Sequence, residues 1–328
     1  MRVKLGDVCE RGTSNLKLSD VSEKNGEFSV FGASGYIGSV DFYQQGYPYV
    51  AVVKDGAGIG RAMLCPGKTS VIGTMQYLLP KDNILPKYLF YVVKYMNLEK
   101  YFTGATIPHI YFKDYKNEEF NFDFWERQVE IVSVLSKCEK VIDLCKQELQ
   151  LLDKLIKARF VELFGDPVSN SYGLPEATLP DLGEFGRGVS KHRPRNDIKL
   201  LGGKYPLIQT GDVANAGLYI TSYSSTYSEL GLKQSKMWDK GTLCITIAAN
   251  IAKTAILEFD ACFPDSVVGF IANERTNNIF VHYWFSFFQA ILESQAPESA
   301  QKNINLKILS ELKVIVPEKR KQDQFASF

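Results

Sequence analysis

The sequence predicts a mixed α/β (α+β) fold in which two globular domains are joined by one long coiled-coil helix. Two observations carry this prediction: a heptad spacing of apolar residues in the middle of the chain, and a weak internal repeat on either side of it. With 328 residues the chain is long enough for about two domains. Its 45% of hydrophobic residues is ordinary for a folded globular protein.

The heptad spacing lies within residues 123–167. Apolar or cysteine side chains recur there in alternating steps of four and three residues, as in the seam of a coiled coil. The residues of this seam are Ile131, Leu135, Cys138, Ile142, Cys145, Leu149, Leu152 and Ile156. Gly165-Asp166-Pro167 marks the helix end, because glycine caps a helix and proline stops it. A helix from about Glu126 to Phe164 would span roughly 58 Å, which makes it a spacer, and the two seam cysteines are interpreted as packing residues.

Segments on either side of the predicted helix resemble each other in order. Leu5-Gly6-Asp7-Val8 parallels Leu179-Pro180-Asp181-Leu182, and the strand-like run 49–53 parallels 243–247. Aromatic, helix-like runs follow in both halves, and Gln128 with the residues after it parallels Gln324 with the residues after it. The chain is therefore interpreted as a duplication. Its predicted divisions are a first domain at 1–122, a spacer helix at 123–167, a second domain at 168–316 and the start of a second helix at 317–328.

Composition and motifs argue against several classes of function. The formal net charge of +1 lacks the positive excess typical of strong phosphate binders, so any DNA binding must use local patches or a partner. No C-x-x-C pair, catalytic motif or phosphate loop is present, which argues against a metal site and against enzymatic chemistry. The glycine-rich loop 54–61 does not fit a dinucleotide fingerprint, because Arg61 stands in place of the third glycine. Without a signal peptide or a long apolar run, we expect a cytoplasmic protein with no membrane span.

Candidate DNA-binding residues lie in polar loops of both halves. The strongest basic patch is 187–195, where arginine can grip guanine with two donors while lysine and serine bind phosphate oxygens. A solvated surface loop is the alternative interpretation. The candidates in the first half are Arg11, Ser14, Lys17, Lys54, Thr103, Thr106 and His109. Those in the second half are Arg187, Ser190, Lys191, His192, Arg193, Arg195, Gln301, Lys302 and Asn303.

The order of these parts resembles the specificity (S) subunit of type I restriction-modification systems. Two stretches carry the resemblance most strongly: KDGAGIGRAMLCPGKTSVIGTMQYLLP (54–80) and KARFVELFGDP (157–167), the second typical of that family's central helix. The resemblance implies two target-recognition domains, each reading one half of a bipartite double-stranded DNA site, held at a fixed separation by helices. It also implies a chain that is not itself an enzyme and binds no cofactor. In that family a methyltransferase (M) subunit binds S-adenosylmethionine and methylates adenine, and a restriction motor-nuclease (R) subunit cleaves DNA.

Other interpretations stay open at this point. Family members usually complete a second helix that packs on the first, whereas this sequence stops at Phe328, so the seam at 131–156 is expected to be exposed. We therefore expect a homodimer, a partner chain that supplies the helix, or a truncated and inactive specificity cassette. A coiled-coil adaptor with two protein-binding heads and a self-contained methyltransferase or nuclease are the alternatives from other classes. The DNA sequence read by either half does not follow from the residues.

Overall fold

The chain folds into two compact units, Met1–Gln147 (unit 1) and Glu148–Phe328 (unit 2). The computed structural model describes residues 1–22, 26–104, 108–295 and 304–328. Both units combine helices with mostly antiparallel strands, which confirms the predicted fold class. The domain boundaries predicted at residues 122, 167 and 316 stay predictions.

Unit 1 is built around an antiparallel sheet. Its strands lie in the order Cys9–Thr13, Met75–Pro80, Tyr49–Val53 and Ala62–Cys65. The strand Tyr49–Val53 is buried along its whole length, which explains why its residues are continuously apolar instead of alternating. A second sheet has the order Gly35–Val40, Phe28–Gly32 and Ser70–Val71, and Arg2–Lys4 pairs with Glu119–Asn121. The helical segments before the long helix are Leu5–Val8, Leu18–Ser22, Pro86–Tyr95, Leu98–Tyr101 and Phe112–Tyr115.

Unit 2 contains a larger version of the same arrangement. Its main sheet has the order Gly183–Arg187, Val267–Ala272, Leu243–Thr246, Thr254–Leu257 and Tyr219–Ile220. A second sheet has the order Ser225–Tyr227, Leu201–Leu207, Ala261–Cys262 and Met237–Trp238, and Glu176–Ala177 pairs with Val314–Ile315. The helical segments are Leu179–Leu182, Ile198–Leu200, Thr210–Asn215, Glu229–Lys233, Asn278–Gln295, Leu306–Glu311 and Lys319–Ala326.

The two units share one strand order, which confirms the internal duplication. The first four strands of each main sheet correspond one to one in the orders given above. A backbone hydrogen bond from Ile110 N–H to the carbonyl oxygen of Lys54 (2.9 Å) recurs in unit 2 as the bond from Ile304 N–H to Ile247 (2.9 Å). The loop after the central strand is therefore held in the same way in both units.

The predicted register of the repeat at its C-terminal end is wrong by two residues. Gln128 is fully buried, and its side-chain amide donates to the backbone oxygens of Asn83 (3.1 Å) and Asp123 (3.0 Å). Gln322, not Gln324, repeats this arrangement. It is also fully buried, and its amide donates to the backbone oxygen of the residue five positions earlier, Pro317 (2.8 Å), as Gln128 does. Gln324 is exposed, so it does not occupy the buried position that Gln128 occupies in unit 1.

One long helix, Trp125–Phe164, runs from unit 1 into unit 2. Its 40 residues correspond to about 60 Å at 1.5 Å per residue, as the heptad spacing predicted. It ends at Gly165, whose φ of +76° and hydrogen bond to Val161 O (2.8 Å) form the predicted glycine cap. Ile131 packs partly against the core of unit 1, and Ile156 packs partly against the core of unit 2. The remaining seam residues, Leu135, Cys138, Ile142, Cys145, Leu149 and Leu152, are exposed.

His282 is expected to make the stability of unit 2 depend on pH. It lies in the helix Asn278–Gln295, and its Nδ1 is 2.9 Å from Oγ1 of Thr254. Burial lowers the pKa of His282 from 6.5 to about 4, against an opposing effect of the hydrogen bond with Thr254. The unfolded chain therefore binds the proton at a higher pH than the folded chain. The stabilising effect of a neutral His282 is complete above about pH 6.5 and is lost as the pH falls toward about 4, by at most about 1.4 kcal/mol per pH unit.

Urea unfolding of the native chain and of His282→Gln between about pH 5 and pH 7 checks this prediction. The native chain should lose more stability than the variant as the pH falls, in a range above the usual carboxylate pKa values. The other two histidines are present in both proteins, so their contributions cancel in the comparison. Parallel pH profiles for the two proteins would contradict the prediction.

Candidate nucleic-acid interface

In unit 1 the structure brings two candidate residues, His109 and Lys54, to the carboxylate of Asp55, and a third, Thr103, lies beside His109. Nδ1 of His109 is 2.7 Å from Oδ1 of Asp55, and Nζ of Lys54 is 3.4 Å from Oδ2 of the same aspartate. Thr103 and His109 exchange two backbone hydrogen bonds of 2.8 Å, which hold both residues beside the glycine-rich loop 54–61. Sequence reasoning missed Asp55, because its partner His109 is 54 residues away. Thr106 lies outside the described residues.

The other candidates of unit 1 differ in how freely they can reach a ligand. Arg11 is exposed on the strand Cys9–Thr13, and Lys17 is exposed just before the helix Leu18–Ser22. Ser14 is buried, and its hydroxyl oxygen accepts a hydrogen bond from Leu16 N–H (3.1 Å). Arg11 and Lys17 are thus accessible to a ligand, whereas the hydroxyl of Ser14 stabilises a turn. DNA contact by any of the three stays a prediction.

In unit 2 the basic patch 187–195 is organised by Asp265. Arg195 forms an ion pair with this carboxylate, and Nη2 of Arg193 lies 3.4 Å from it. Arg193 also donates to the backbone oxygens of Ser190 (2.6 Å) and His192 (2.9 Å), which fixes the turn of the loop. Two of the arginines predicted to grip guanine therefore already have an acidic partner. The sequence did not reveal this partner, because Asp265 is 72 residues from Arg193.

The remaining residues of this patch lie at its two sides. Nε2 of His192 is 3.2 Å from Asp197, and the backbone amide of Lys199 together with His192 holds the pKa of Asp197 below its usual value. Lys191 and Arg187 are exposed, and Arg187 ends the strand Gly183–Arg187. Gln301, Lys302 and Asn303 lie outside the described residues.

A cavity of about 630 Å³ opens between these loops within unit 2. The candidate residues Arg187, Ser190 and Arg195 line it, together with Asp265, Thr210 and Asn305. Ser190 is only 6% exposed, and its Oγ is buried without a hydrogen-bond partner among the described residues. The structure thus places three of the predicted residues at one concave site, which the sequence alone did not predict.

The side chains at these surfaces offer groups that can bind a nucleic acid. Cations, hydroxyls and amides can form hydrogen bonds to phosphates and to base edges. No group of three or more His, Cys, Asp or Glu side chains in the described part of the chain could hold a metal ion. Burial raises the pKa of the Cys9 thiol to about 12 and that of Cys65 to about 11, so these thiols remain protonated. Nor does any helix within the described ranges have the length and apolar character needed to cross a membrane.

A duplicated α/β unit with basic and polar loops, joined by a long helix, defines a two-part recognition protein. The model of the type I restriction modification DNA specificity domain matches residues 1–154 and again residues 176–328. These matches cover most of the chain, and the chain belongs to this family. The resemblance drawn from the sequence is thereby confirmed.

Individual relatives agree with this assignment. A protein of Methanocaldococcus jannaschii described as the MjaX specificity subunit of a type I restriction enzyme is 22% identical over 285 residues, covering 82% of this chain and 67% of the relative. The MjaIX specificity subunit of the same organism is 26% identical over 179 residues, covering 49% of this chain and 40% of that relative. The crystal structure of a type I system S subunit from M. genitalium has a TM-score of 0.63 at 17% identity, over 100% of this chain and 87% of that one. At this identity the structural likeness establishes the fold alone.

Proposed function

We propose that this chain is the DNA-recognition subunit of a type I restriction-modification complex, in which each unit reads one half of a bipartite duplex target. The observation that carries the proposal is the twofold match of one DNA specificity domain to the two halves of the chain. Two units with the same fold suit a target with two parts, because each unit can contact its own half-site. The family match favours this function over the protein-binding adaptor.

Local charge supports DNA binding by a chain of nearly neutral net charge. Arg11, Lys17, Arg187 and Lys191 are exposed near the candidate loops, where they can contact phosphates. A net charge of +1 leaves much of the backbone neutralisation to a partner. We infer that the methyltransferase subunit supplies it and binds S-adenosylmethionine. This chain would then contribute recognition without a cofactor or catalysis of its own, in the cytoplasm, and would also direct the restriction subunit.

The exposed seam supports association through the long helix. Ile142 is 53% exposed and Leu149 is 63% exposed, although apolar residues at heptad spacing normally pack against another helix. We infer that a helix of the methyltransferase subunit or of a second copy of this chain covers them. Light scattering of the chain alone and with the methyltransferase separates these possibilities. A chain that stays monomeric both alone and in the presence of the methyltransferase would refute seam-mediated association.

Sequencing of methylated adenines in cellular DNA tests the recognition function. Cells that express this chain with its methyltransferase subunit should carry methylation at a split motif with a fixed spacer, and cells without this chain should not. Exchanging unit 2 for that of another family member should change one half of the motif only. Methylation that does not depend on this chain would refute the proposal.

Arg187→Ala should weaken the binding of target DNA by the assembled complex about five- to thirtyfold, since a hydrogen-bonded charge contact contributes roughly 1–2 kcal/mol. If Arg187 contacts a phosphate, the dependence of affinity on salt should fall by about one counterion. Fluorescence anisotropy over a salt series measures both quantities. Arg320→Ala is the matched control, because it removes an exposed charge of unit 2 on the helix Lys319–Ala326. Equal losses in the two variants would indicate a general charge effect and contradict a contact at Arg187.

A further inference from the structure

The cavity of unit 2 is built like a ligand site. Its volume of about 630 Å³ lies within the usual range for binding pockets. Leu207, Tyr227, Ile247 and Ile304 form apolar walls, and each of these residues is otherwise almost fully buried. An aromatic ring system of modest size can pack against such walls.

Polar groups at the cavity are free to read a ligand. The Oγ of Ser190 has no hydrogen-bond partner in the part of the chain that is described, and it can both donate and accept. Oδ1 of Asn305 accepts from Ile308 N–H (2.9 Å), and this bond leaves the two amide N–H donors of Asn305 for a ligand. A buried hydroxyl without a partner is unfavourable, so its retention here points to a ligand that completes it.

The charges at the cavity restrict the chemistry of that ligand. Asp265 pairs with both Arg193 and Arg195, so its carboxylate neutralises one of these two positive charges, and the carboxylate itself repels an anion placed beside it. Arg187 lines the cavity, is exposed and forms no ion pair within the described ranges. A neutral aromatic group inside and a phosphate outside at Arg187 match this distribution. Such a combination is a nucleotide.

We propose that the cavity of unit 2 holds a single nucleobase turned out of the DNA duplex within the half-site that unit 2 reads. The inference rests on the proposed function and adds a mode of recognition to it. Base edges in an intact groove cannot reach a buried hydroxyl such as that of Ser190, whereas a base that leaves the stack can enter a pocket. Apolar contact with the faces of the base and hydrogen bonds to its edge then compensate for the lost stacking.

Unit 1 offers an internal contrast. The conserved backbone bond of the loop, from Ile110 to Lys54 in unit 1 and from Ile304 to Ile247 in unit 2, aligns Asp55 with Ala248. Nδ1 of His109 is 2.7 Å from the Asp55 carboxylate, so a polar pair stands in unit 1 where unit 2 has a small apolar side chain at its cavity. We therefore assign base extrusion to the half-site of unit 2 alone.

2-Aminopurine fluorescence tests the proposal, because this base brightens when it leaves the stack. The complex of the full chain with its methyltransferase is titrated with target duplexes that carry 2-aminopurine at each position of the unit 2 half-site in turn. At one position, other than that of the methylated adenine, the 2-aminopurine fluorescence should rise severalfold on binding. Anisotropy of the same samples reports whether the DNA is bound at all.

Two variants connect the signal to the cavity. Ala248→Trp fills the cavity and should abolish the rise. Ser190→Ala removes one hydrogen bond and should weaken binding about three- to tenfold. The matched control, Ser222→Ala, changes an exposed serine of the same unit and should behave as the native chain.

The outcomes separate this proposal from the recognition function. Bound DNA without brightening at any unit 2 position overturns the cavity proposal and leaves DNA recognition intact. A rise that persists in both cavity variants places the extruded base elsewhere and also overturns it. No binding to the methylated motif overturns the recognition function and this proposal together.

Discussion

Replacing Gln128 or Gln322 by leucine is expected to lower the free energy of unfolding by about 3–6 kcal/mol, although leucine and glutamine are similar in size. Each glutamine amide makes three hydrogen bonds, and both residues are fully buried. Leucine would leave three buried or partly buried polar groups without partners, each at a cost of about 1–2 kcal/mol. Gln128 links the start of the long helix to the backbone at Asn83 and Leu85, so its loss should loosen unit 1 first.

Urea unfolding with hydrogen exchange measures the size and the place of these effects. Gln128→Leu should raise exchange in unit 1, and Gln322→Leu should raise it in unit 2, where this glutamine accepts from Thr276 Oγ1 (2.8 Å). Gln324→Leu is the matched control, since Gln324 is exposed on the same short helix and should change stability by less than about 0.5 kcal/mol. A larger cost at Gln324 than at Gln322 would restore the register predicted from the sequence.

This pair of glutamines marks how far the repeat was visible in the sequence. The order of strands and helices in the two halves could be predicted, because apolar runs and turn residues recur in the same order in both halves. The alignment of the two halves at the end of unit 2 could not be predicted, because Gln322 and Gln324 are two similar matches to Gln128. Only the positions of the backbone carbonyl groups around the amide distinguish them, and in each unit one of these groups comes from a segment about 45 residues earlier in the chain.

The candidate site was predictable only in part for the same reason. The basic loop 187–195 is local in sequence, and the predicted residues Arg187, Ser190 and Arg195 do meet at the cavity. The groups that decide what this loop can bind come from elsewhere. Asp265 pairs with its arginines, and Asn305 contributes an amide to the same cavity. Both placements depend on the pairing of distant strands, which the spacing of residues does not encode.

The long helix was predicted correctly, but the side chains buried at its C-terminal end lie on a different face from the heptad seam. The heptad spacing continued from Ile156 would reach residues 159 and 163. The residues that are fully buried at this end are instead Phe160 and Phe164. An α-helix has 3.6 residues per turn rather than 3.5, and its last turns are positioned by packing against unit 2 rather than by a partner helix.

Phe160→Ala is the second substitution for which we expect a large effect, a loss of about 3–5 kcal/mol in the free energy of unfolding of unit 2. The ring of Phe160 lies 4.9 Å from that of Phe164, 5.3 Å from Phe280, 5.1 Å from Phe287 and 5.3 Å from Phe325, measured between centroids. Deleting it removes a fully buried aromatic side chain and leaves a cavity between helices that cannot easily close. Because Phe280 and Phe287 belong to the helix Asn278–Gln295 and Phe325 belongs to the helix Lys319–Ala326, the loss should loosen both helices.

Leu149→Ala is the matched control, since it truncates an apolar residue of the same helix that is 63% exposed. In dilute chain without a partner it should change stability by less than about 0.5 kcal/mol. Urea unfolding at several protein concentrations distinguishes packing from association. A large effect of Leu149→Ala that grows with concentration would mean that the seam is covered by a second copy. A small effect of Phe160→Ala would mean that the end of the long helix is not held by the aromatic cluster, and the packing assigned to it would be wrong.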